Sequence, residues 1–164
     1  MEQVAHYLQI KANQCLPDSR DFDLFGRSSF NRYYYAAYLQ VRSLLGNLNG
    51  SWSKTQHASI PKLLKGAVLE RINRQRIRAA KIGDNDAVNI CRQAAASAHE
   101  LATLMTEAYA VRVTADYEPG IPIVADDRGR FRLNFVLVTT AHDWPDRARE
   151  HGQRIRRAWS LTDD

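Results

Sequence analysis

The stretch from Ala87 to Tyr117 carries the longest helical pattern in this chain, and it limits the fold more than any other segment. One apolar stripe at helical spacing comprises Leu101, Leu104, Ala108, Val111 and Ala115. A second stripe comprises Val88, Cys91, Ala95 and Ala98. Small residues allow neighbouring helices to approach closely. We therefore expect one long helix at the centre of a bundle.

The rest of the chain is also helical in pattern. Apolar residues at intervals of three and four predict helices over residues 2–14 and 27–46. A third helix is expected to begin near Ser59 or Pro61 and to run into a basic segment, because proline is tolerated in a first turn. Thr139 or Thr140 can cap a last helix. Residues 128–138 alternate in places like a strand and predict a short hairpin or an ordered loop. The predicted fold is all-α, an up-and-down bundle of four to five helices with an irregular or short hairpin insertion before the last helix.

Length and composition favour one soluble domain over residues 1–164. The 164 residues are 45% hydrophobic, which is enough for one core. No stretch approaches the roughly 18 apolar residues of a membrane span, and the amino terminus lacks a signal-peptide layout. We therefore expect a cytoplasmic protein with no membrane partner. Cys15 and Cys91 have neither zinc spacing nor the density of a disulfide framework, so both are expected to be reduced. No metal or cofactor is expected.

The net charge of +5 understates the bias toward arginine, which is concentrated in two segments. The first segment is opposed only by Glu70 and comprises Lys62, Lys65, Arg71, Arg74, Arg76, Arg78 and Lys81. The second segment extends from Arg128 to Arg157 and includes several acidic residues. Arginine binds phosphate bidentately and stacks on bases. The pattern therefore fits a nucleic-acid surface, or alternatively solvated helix faces.

Three consecutive tyrosines, Tyr33 to Tyr35, follow Arg32 on the second predicted helix. Aromatic residues are only moderate helix formers, so such a run needs a tertiary reason. Tyr34 shares a stripe with Phe30 and Ala37 and is expected in the core. Arg32 and the neighbouring tyrosines are expected to form a polar framework, with Arg32 paired to a carboxylate such as Asp116.

Three short motifs carry a resemblance to a known family. The segment Ser29-Phe-Asn-Arg32-Tyr-Tyr-Tyr-Ala-Ala37 resembles the Arg-x-Tyr-Tyr-Ala-Ala signature of HEPN domains, which are nucleotide-binding helical domains of higher eukaryotes and prokaryotes. Arg112-Val-Thr-Ala-Asp116-Tyr117 is similar to the family's Arg-x-x-Ala-Asp-Tyr. Thr55-Gln-His57 lies where many members carry Thr-His at the entrance to the third helix. The resemblance covers nearly the whole chain.

This resemblance implies a compact helical bundle, usually a homodimer, that binds a nucleotide, an RNA or a partner protein. It also implies a toxin–antitoxin, phage-defence or RNA-processing setting, with a nucleotidyltransferase or another defence component as a partner. Active members are metal-independent ribonucleases that use an Arg-x(4–6)-His pair across the dimer. Arginine stabilises the charge of the transition state, and histidine exchanges a proton near neutral pH.

The chain departs from the nuclease pattern at Arg112, because the residue four positions later is Asp116 and not a histidine. This spacing is typical of an ion pair on a helix, and a carboxylate repels a phosphate. Arg112 and Asp116 are therefore expected either as a satisfied ion pair or as part of a phosphate site that includes Tyr117. His57 is expected to cap or pack, or to approach the tyrosines and act as a base.

A literal match to the nuclease pattern occurs at Arg92 and His99. Seven residues are two helical turns, so both side chains share one face of the long helix. They are the candidate catalytic pair. Three functions follow: a non-catalytic HEPN-like binding module, a ribonuclease that uses Arg92 and His99 or Arg112 and His57, and a dimerisation scaffold. His142 is expected in the first turn of the last helix, with His6 and His151 at the surface.

Overall fold

The computed structural model describes residues 1–126 and 129–161, most of which are helical. The α-helices are α1 (Glu2–Gln14), α2 (Arg20–Leu48), α3 (Ile60–Leu63), α4 (Leu69–Lys81), α5 (Asn85–Tyr117) and α6 (Val138–Ser160). Three short strands precede α6: β1 (Ile123–Ala125), β2 (Phe131–Leu133) and β3 (Val136–Leu137). The all-α class is confirmed, and no described helix is long and apolar enough to cross a membrane.

Helix α2 begins at Arg20, seven residues before its predicted start at residue 27. The hydroxyl of Ser19 accepts a hydrogen bond from the Phe22 N–H at 3.1 Å, which caps the first turn. Asp21 and Asp23 lie in that turn, where a carboxylate interacts favourably with the helix dipole. The acidic residues Asp21 and Asp23, which precede the predicted start, therefore belong to the amino-terminal end of the helix.

The predicted third helix is interrupted. Helices α3 and α4 are joined by a π-helical segment, Leu64–Val68, in which Gly66 has non-helical backbone angles of φ −98° and ψ −106°.

Helix α5 begins at Asn85, where the Asp84 carboxylate accepts a hydrogen bond from the Ala87 N–H at 2.9 Å. It ends at Tyr117, as predicted.

The insertion before α6 is an antiparallel sheet in the order β1-β2-β3. Leu133 pairs with both Ile123 and Val136, so β2 is the central strand. Asn134 and Phe135 form the two-residue turn between β2 and β3, and Asn134 adopts a positive φ of 56°. Of the two alternatives for residues 128–138, the hairpin is the one found, although residue 128 lies outside the described residues. Strand β1 was not predicted.

The described residues group into two compact units, and the expectation of a single domain stays a prediction. The first unit comprises Met1–Tyr38 and Glu107–Asp146, and the second comprises Leu39–Thr106 and Arg147–Asp164. In the first unit α2 and α5 run antiparallel, because contacts that begin at Arg27 and Glu118 continue to Tyr34 and Tyr109. Its core includes Phe30, Tyr33, Tyr34, Phe131 and Trp144, all fully buried.

Helix α1 buries a different face from the one that its apolar residues suggest. Val4 and Tyr7 are 48% and 57% exposed, whereas Ala5 and Ala12 are fully buried. Two alanines let the backbone of α1 approach its neighbours closely, so packing follows the small residues. The amphipathic pattern therefore predicted the helix and not its buried side.

The second unit has its own apolar core, which includes Leu45, Ile60, Leu64, Ile72 and Leu101. The ring of Trp159 meets that of Trp52 edge to face, with centroids 5.8 Å apart. His151 is half-buried, so the expectation that it lies at the surface is wrong, whereas His6 is exposed as expected. Cys91 in this unit and Cys15 in the first are both free thiols.

Candidate functional site

A polar cavity of about 300 Å³ lies in the first unit, between the first turns of α2 and the last turn of α5. Its lining comprises Leu24, Arg27, Ser28, Asn31, Arg32, Ala115 and Asp116. The α2 residues recur at three- and four-residue intervals, so they form one face of the helix. The two most distinctive sequence motifs, at residues 29–37 and 112–117, thus both contribute to this cavity.

Arg27 forms one wall of the cavity, and its guanidinium donates hydrogen bonds to other groups of the protein. Its Nε donates to Asp23 at 2.6 Å, and its side chain is 11% exposed. Its terminal nitrogens donate to the backbone carbonyls of Thr114, Ala115, Glu118, Pro119 and Ile121. The last carbonyls of a helix have no partner within the helix, so Arg27 caps the carboxyl end of α5. Sequence reasoning missed this role, although the Asp23–Arg27 spacing of four was a usable signal.

Asn31 and Asp116 join the two motifs. The Asn31 amide Nδ2 donates to Asp116 Oδ1 at 2.5 Å. Asp116 Oδ2 lies 2.9 Å from Nε of Arg112, so the predicted ion pair between these two residues is present. The Arg112 N–H does not point at that oxygen in hydrogen-bond geometry. The contact between Arg112 Nε and Asp116 Oδ2 is therefore an electrostatic attraction and not a hydrogen bond.

Arg112 is enclosed by aromatic rings as well as by Asp116. Its guanidinium carbon lies 5.9 Å from the centroid of the Tyr35 ring and 5.3 Å from that of Tyr117. Burial disfavours its charge, but Asp116 and hydrogen bonds to Tyr35 and Tyr117 outweigh this effect and raise the pKa of Arg112. Arg112 therefore stays charged, and the neighbouring Asp116 carboxylate neutralises this charge.

Arg32 is placed differently from the sequence expectation. Within residues 1–126 and 129–161 it forms no ion pair, and Asp116 is engaged by Asn31 and Arg112. The predicted pairing of Arg32 with Asp116 is therefore wrong. The reason is geometric, because residue 31 faces α5 while residue 32 points outward and is exposed. Arg32 is a cation at the cavity rim with its donors available.

Tyr33 and Tyr117 lie in contrasting environments. Tyr33 is fully buried, donates its hydroxyl to Gln9 at 2.6 Å and stacks on His142 with ring centroids 5.4 Å apart. Burial, reinforced by Glu2 and Asp143, raises the pKa of Tyr33 to about 12. Tyr117 is 67% exposed. Tyr33 thus belongs to a polar network between α1, α2 and α6, and Tyr117 offers an aromatic face to solvent.

The remaining candidates lie in the second unit. His57 is half-buried in a single 3₁₀ turn, His57–Ser59. Arg92 and His99 are both exposed on α5, and neither has an ion-pair or hydrogen-bond partner among the described residues. The spacing of seven residues separates their backbones by about 10.5 Å along the helix. In the described part of the chain no group of three or more His, Cys, Asp or Glu side chains could hold a metal ion.

Comparisons of this chain with protein-family models, with curated proteins and with solved structures find no match. The cavity and its charges are therefore the features that indicate a function. These charges comprise one available cation, Arg32, and an internal network in which Arg112 offsets Asp116.

Proposed function

We propose that this chain is a HEPN-like module that binds a nucleotide, either free or as part of an RNA, in the cavity of the first unit. The observation that carries the proposal is the contact between Asn31 and Asp116, because it brings the two motifs together beside Arg32. A cavity of about 300 Å³ is at the lower end of the range for small-molecule sites.

The cavity offers donors suited to a phosphate group. The guanidinium of Arg32 is exposed, and its planar fork matches phosphate oxygens bidentately. The Ser28 hydroxyl lies one helical turn before Arg32 and can donate to a phosphate or a ribose oxygen. The exposed ring of Tyr117 provides a surface on which a base can stack.

The charges of the site support binding more than cleavage. Asp116 places a carboxylate in the cavity wall, and Arg112 is occupied by that carboxylate. None of the seven lining residues is a histidine, so the lining lacks the usual proton-transfer group at neutral pH. The proposed module thus holds a nucleotide without hydrolysing it.

The wider setting in this proposal is a homodimer that works in a toxin–antitoxin, phage-defence or RNA-processing system, with a nucleotidyltransferase or another defence component as a partner. This part of the proposal is supported by the resemblance of the sequence motifs alone. Measurement of the mass in solution tests the dimer, and co-purification with the products of neighbouring genes tests the partner.

Titration calorimetry with nucleoside mono-, di- and triphosphates tests the binding site. One charge-assisted bidentate contact contributes about 1.5–3 kcal/mol, so Arg32→Gln is expected to weaken binding by about ten- to a hundredfold. Arg20→Gln is the matched control, because Arg20 is exposed on the same helix and does not line the cavity. Equal affinities for the two variants would contradict the assignment.

A metal-independent ribonuclease is the second candidate, since Arg92 and His99 are exposed on one face of α5. RNA cleavage in excess chelator measures this activity directly. Cleavage by the wild type that is lost in both Arg92→Ala and His99→Ala would establish the ribonuclease and would contradict the proposal of a non-catalytic module. Intact RNA with the wild-type protein would rule this candidate out.

A further inference from the structure

Another cavity, of about 500 Å³, opens on the surface of the second unit, and its lining is mainly apolar. Trp52 contributes to this lining from the 3₁₀ helix Gly50–Lys54. Leu63 contributes from the end of α3, and Ala67 from the π-helical segment between α3 and α4. The volume lies within the range of about 300–1,000 Å³ that is usual for small-molecule sites.

The π-helical segment Leu64–Val68 provides part of the lining through Gly66 and Ala67. Single π-helical turns within α-helices occur frequently at functional sites. A Cβ atom at Gly66 would have no atom outside its own helix within 4 Å, so no described side chain fills the space beside this glycine. The interruption of the third helix therefore coincides with open space at the cavity.

Trp52 is the aromatic residue of the lining, and the protein holds it in place. Its ring is half-buried and meets the buried Trp159 ring edge to face, with centroids 5.8 Å apart. The backbone N–H and the hydroxyl of Thr55 both donate to the Trp52 carbonyl, at 3.1 and 2.7 Å. A side chain that is ordered before binding loses less entropy when a ligand arrives. Trp52 thus offers a fixed surface on which an aromatic ring can stack.

Lys62 gives the cavity a positive charge. It is exposed and is the one charged residue of the lining. Within residues 1–126 and 129–161 it forms no ion pair or hydrogen bond. Ser59 and Gln56 are also exposed in the lining, and both side chains can donate hydrogen bonds. An anionic group on the ligand would therefore find a cation and neutral donors beside an apolar surface.

We propose that this cavity binds a small aromatic carboxylate, with its rings against Trp52 and its carboxylate at Lys62. An apolar cavity of about 150 Å³ accommodates benzene, so about 500 Å³ admits a ligand of two or three fused rings. A nucleoside phosphate carries several charges, whereas this lining has one cation. The site lies in the second unit and shares no residue with the proposed nucleotide cavity.

An NMR titration of the ¹⁵N-labelled protein with 2-naphthoate tests this site through the indole N–H signals of the tryptophans. The Trp52 signal, identified by its loss in Trp52→Phe, is expected to shift in a saturable manner. The signal of Trp144 is expected to stay unchanged, because Trp144 is buried in the first unit.

Two analogues of 2-naphthoate separate the contributions of charge and ring. The amide 2-naphthamide keeps the rings without the charge and is expected to bind up to about fivefold more weakly, as for an exposed ion pair. Decahydro-2-naphthoate keeps the charge without aromatic rings and is expected to bind about two- to tenfold more weakly.

The variant Lys62→Gln is expected to weaken binding of 2-naphthoate up to about fivefold and to leave binding of 2-naphthamide unchanged. Lys81→Gln is the matched control, because Lys81 is exposed in the same unit and does not line the cavity. Arg32→Gln is expected to leave both ligands unaffected, so this proposal and the nucleotide site fail separately.

A variant that fills the cavity tests its location. Ala67→Phe is expected to weaken binding of 2-naphthoate at least tenfold, whereas Ala67→Ser retains it, with circular dichroism as the check on folding. The proposal would be overturned by the absence of a saturable Trp52 shift, or by equal affinities for 2-naphthoate and 2-naphthamide. Equal affinities of Lys62→Gln and Lys81→Gln for 2-naphthoate, or unchanged binding in a folded Ala67→Phe, would also overturn it.

Discussion

The side-chain amide of Asn31 donates a 2.5 Å hydrogen bond to Asp116, which is 85 positions later in the chain. Asp116 in turn pairs with Arg112 at 2.9 Å. Two segments that look like separate motifs in the sequence therefore form one network. This network sets the charge of the cavity wall, because it offsets Asp116 and leaves Arg32 as the available cation.

Replacement of Asn31 by alanine removes one hydrogen bond to a charged acceptor. We expect the free energy of unfolding to fall by about 1 kcal/mol, since the pair is partly exposed to solvent. Asn31→Asp is expected to destabilise more, because it places a second carboxylate against Asp116. Denaturant unfolding measures both effects.

A double-mutant cycle with Asp116→Asn isolates the interaction between the two side chains. The loss caused by Asn31→Asp is expected to shrink in the Asp116→Asn background, because the repulsion between carboxylates disappears. A loss of the same size in both backgrounds would show that Asn31 and Asp116 do not interact.

Arg27 is expected to be the most important charged residue for the stability of the first unit. Arg27→Met leaves the carbonyls at the end of α5 and the Asp23 carboxylate without their donor, so we expect a loss of about 3 kcal/mol. Arg27→Lys is expected to recover part of this, because an ammonium group lacks the planar fork. Thermal unfolding provides the measurement.

The exposed Arg20 on the same helix provides the comparison for Arg27. Arg20→Met is expected to change stability by no more than about 0.5 kcal/mol. If Arg27→Met were as mild as Arg20→Met, the capping role assigned to Arg27 would be wrong.

Gly26 allows strand β1 to pack closely on α2. A Cβ atom at this position would lie 2.9 Å from Cγ1 of Ile123, so Gly26→Ala is expected to cost about 1 kcal/mol despite the better helix propensity of alanine. In an Ile123→Ala background the clash is absent, and the same substitution is expected to stabilise by up to about 1 kcal/mol. Unfolding curves that show the same sign in both backgrounds would exclude this explanation.

Regular spacing made the helices predictable, whereas single side-chain contacts decided their ends. The stripe from Leu101 to Ala115 repeats with helical periodicity and is buried as expected. The start of α2 depends on the Ser19 cap, and the acidic residues beside it are equally common in turns. The pairing of β1 with β2 is a non-local contact that three residues cannot signal.

The site was predictable only where local spacing determined it. Arg112 and Asp116 are four residues apart on one helix, so their ion pair followed from the sequence. The choice between Asn31 and Arg32 as the partner of Asp116 depends on how α2 is rotated against α5, and this rotation is set by packing of the whole core. The capping role of Arg27 has the same origin.

His151 is expected to make stability depend on pH. Burial, followed by the charges of Arg154 and Arg147, lowers the pKa of His151, while Glu150 and Glu100 oppose this in part. The unfolded chain therefore binds a proton near pH 6.5 that the folded chain does not, so stability is lost as the pH falls through this value. Melting temperatures at pH 7.5 and 5.5 measure the loss.

The variant His151→Gln removes this titration. The difference between the two melting temperatures is expected to be smaller for His151→Gln than for the wild type. A difference of the same size in both proteins would assign the pH dependence to other groups.

The nucleotide site is tested most directly by the affinity of two variants that change the charge of the cavity in opposite directions. Arg32→Gln removes the available cation of the cavity, and Asp116→Asn removes the carboxylate that repels a phosphate. Calorimetry is expected to show binding that is weaker by about ten- to a hundredfold for Arg32→Gln and tighter by about tenfold for Asp116→Asn, with Arg20→Gln unchanged. Affinities that are the same in all three variants and the wild type, or no binding at all, would contradict a nucleotide site between α2 and α5.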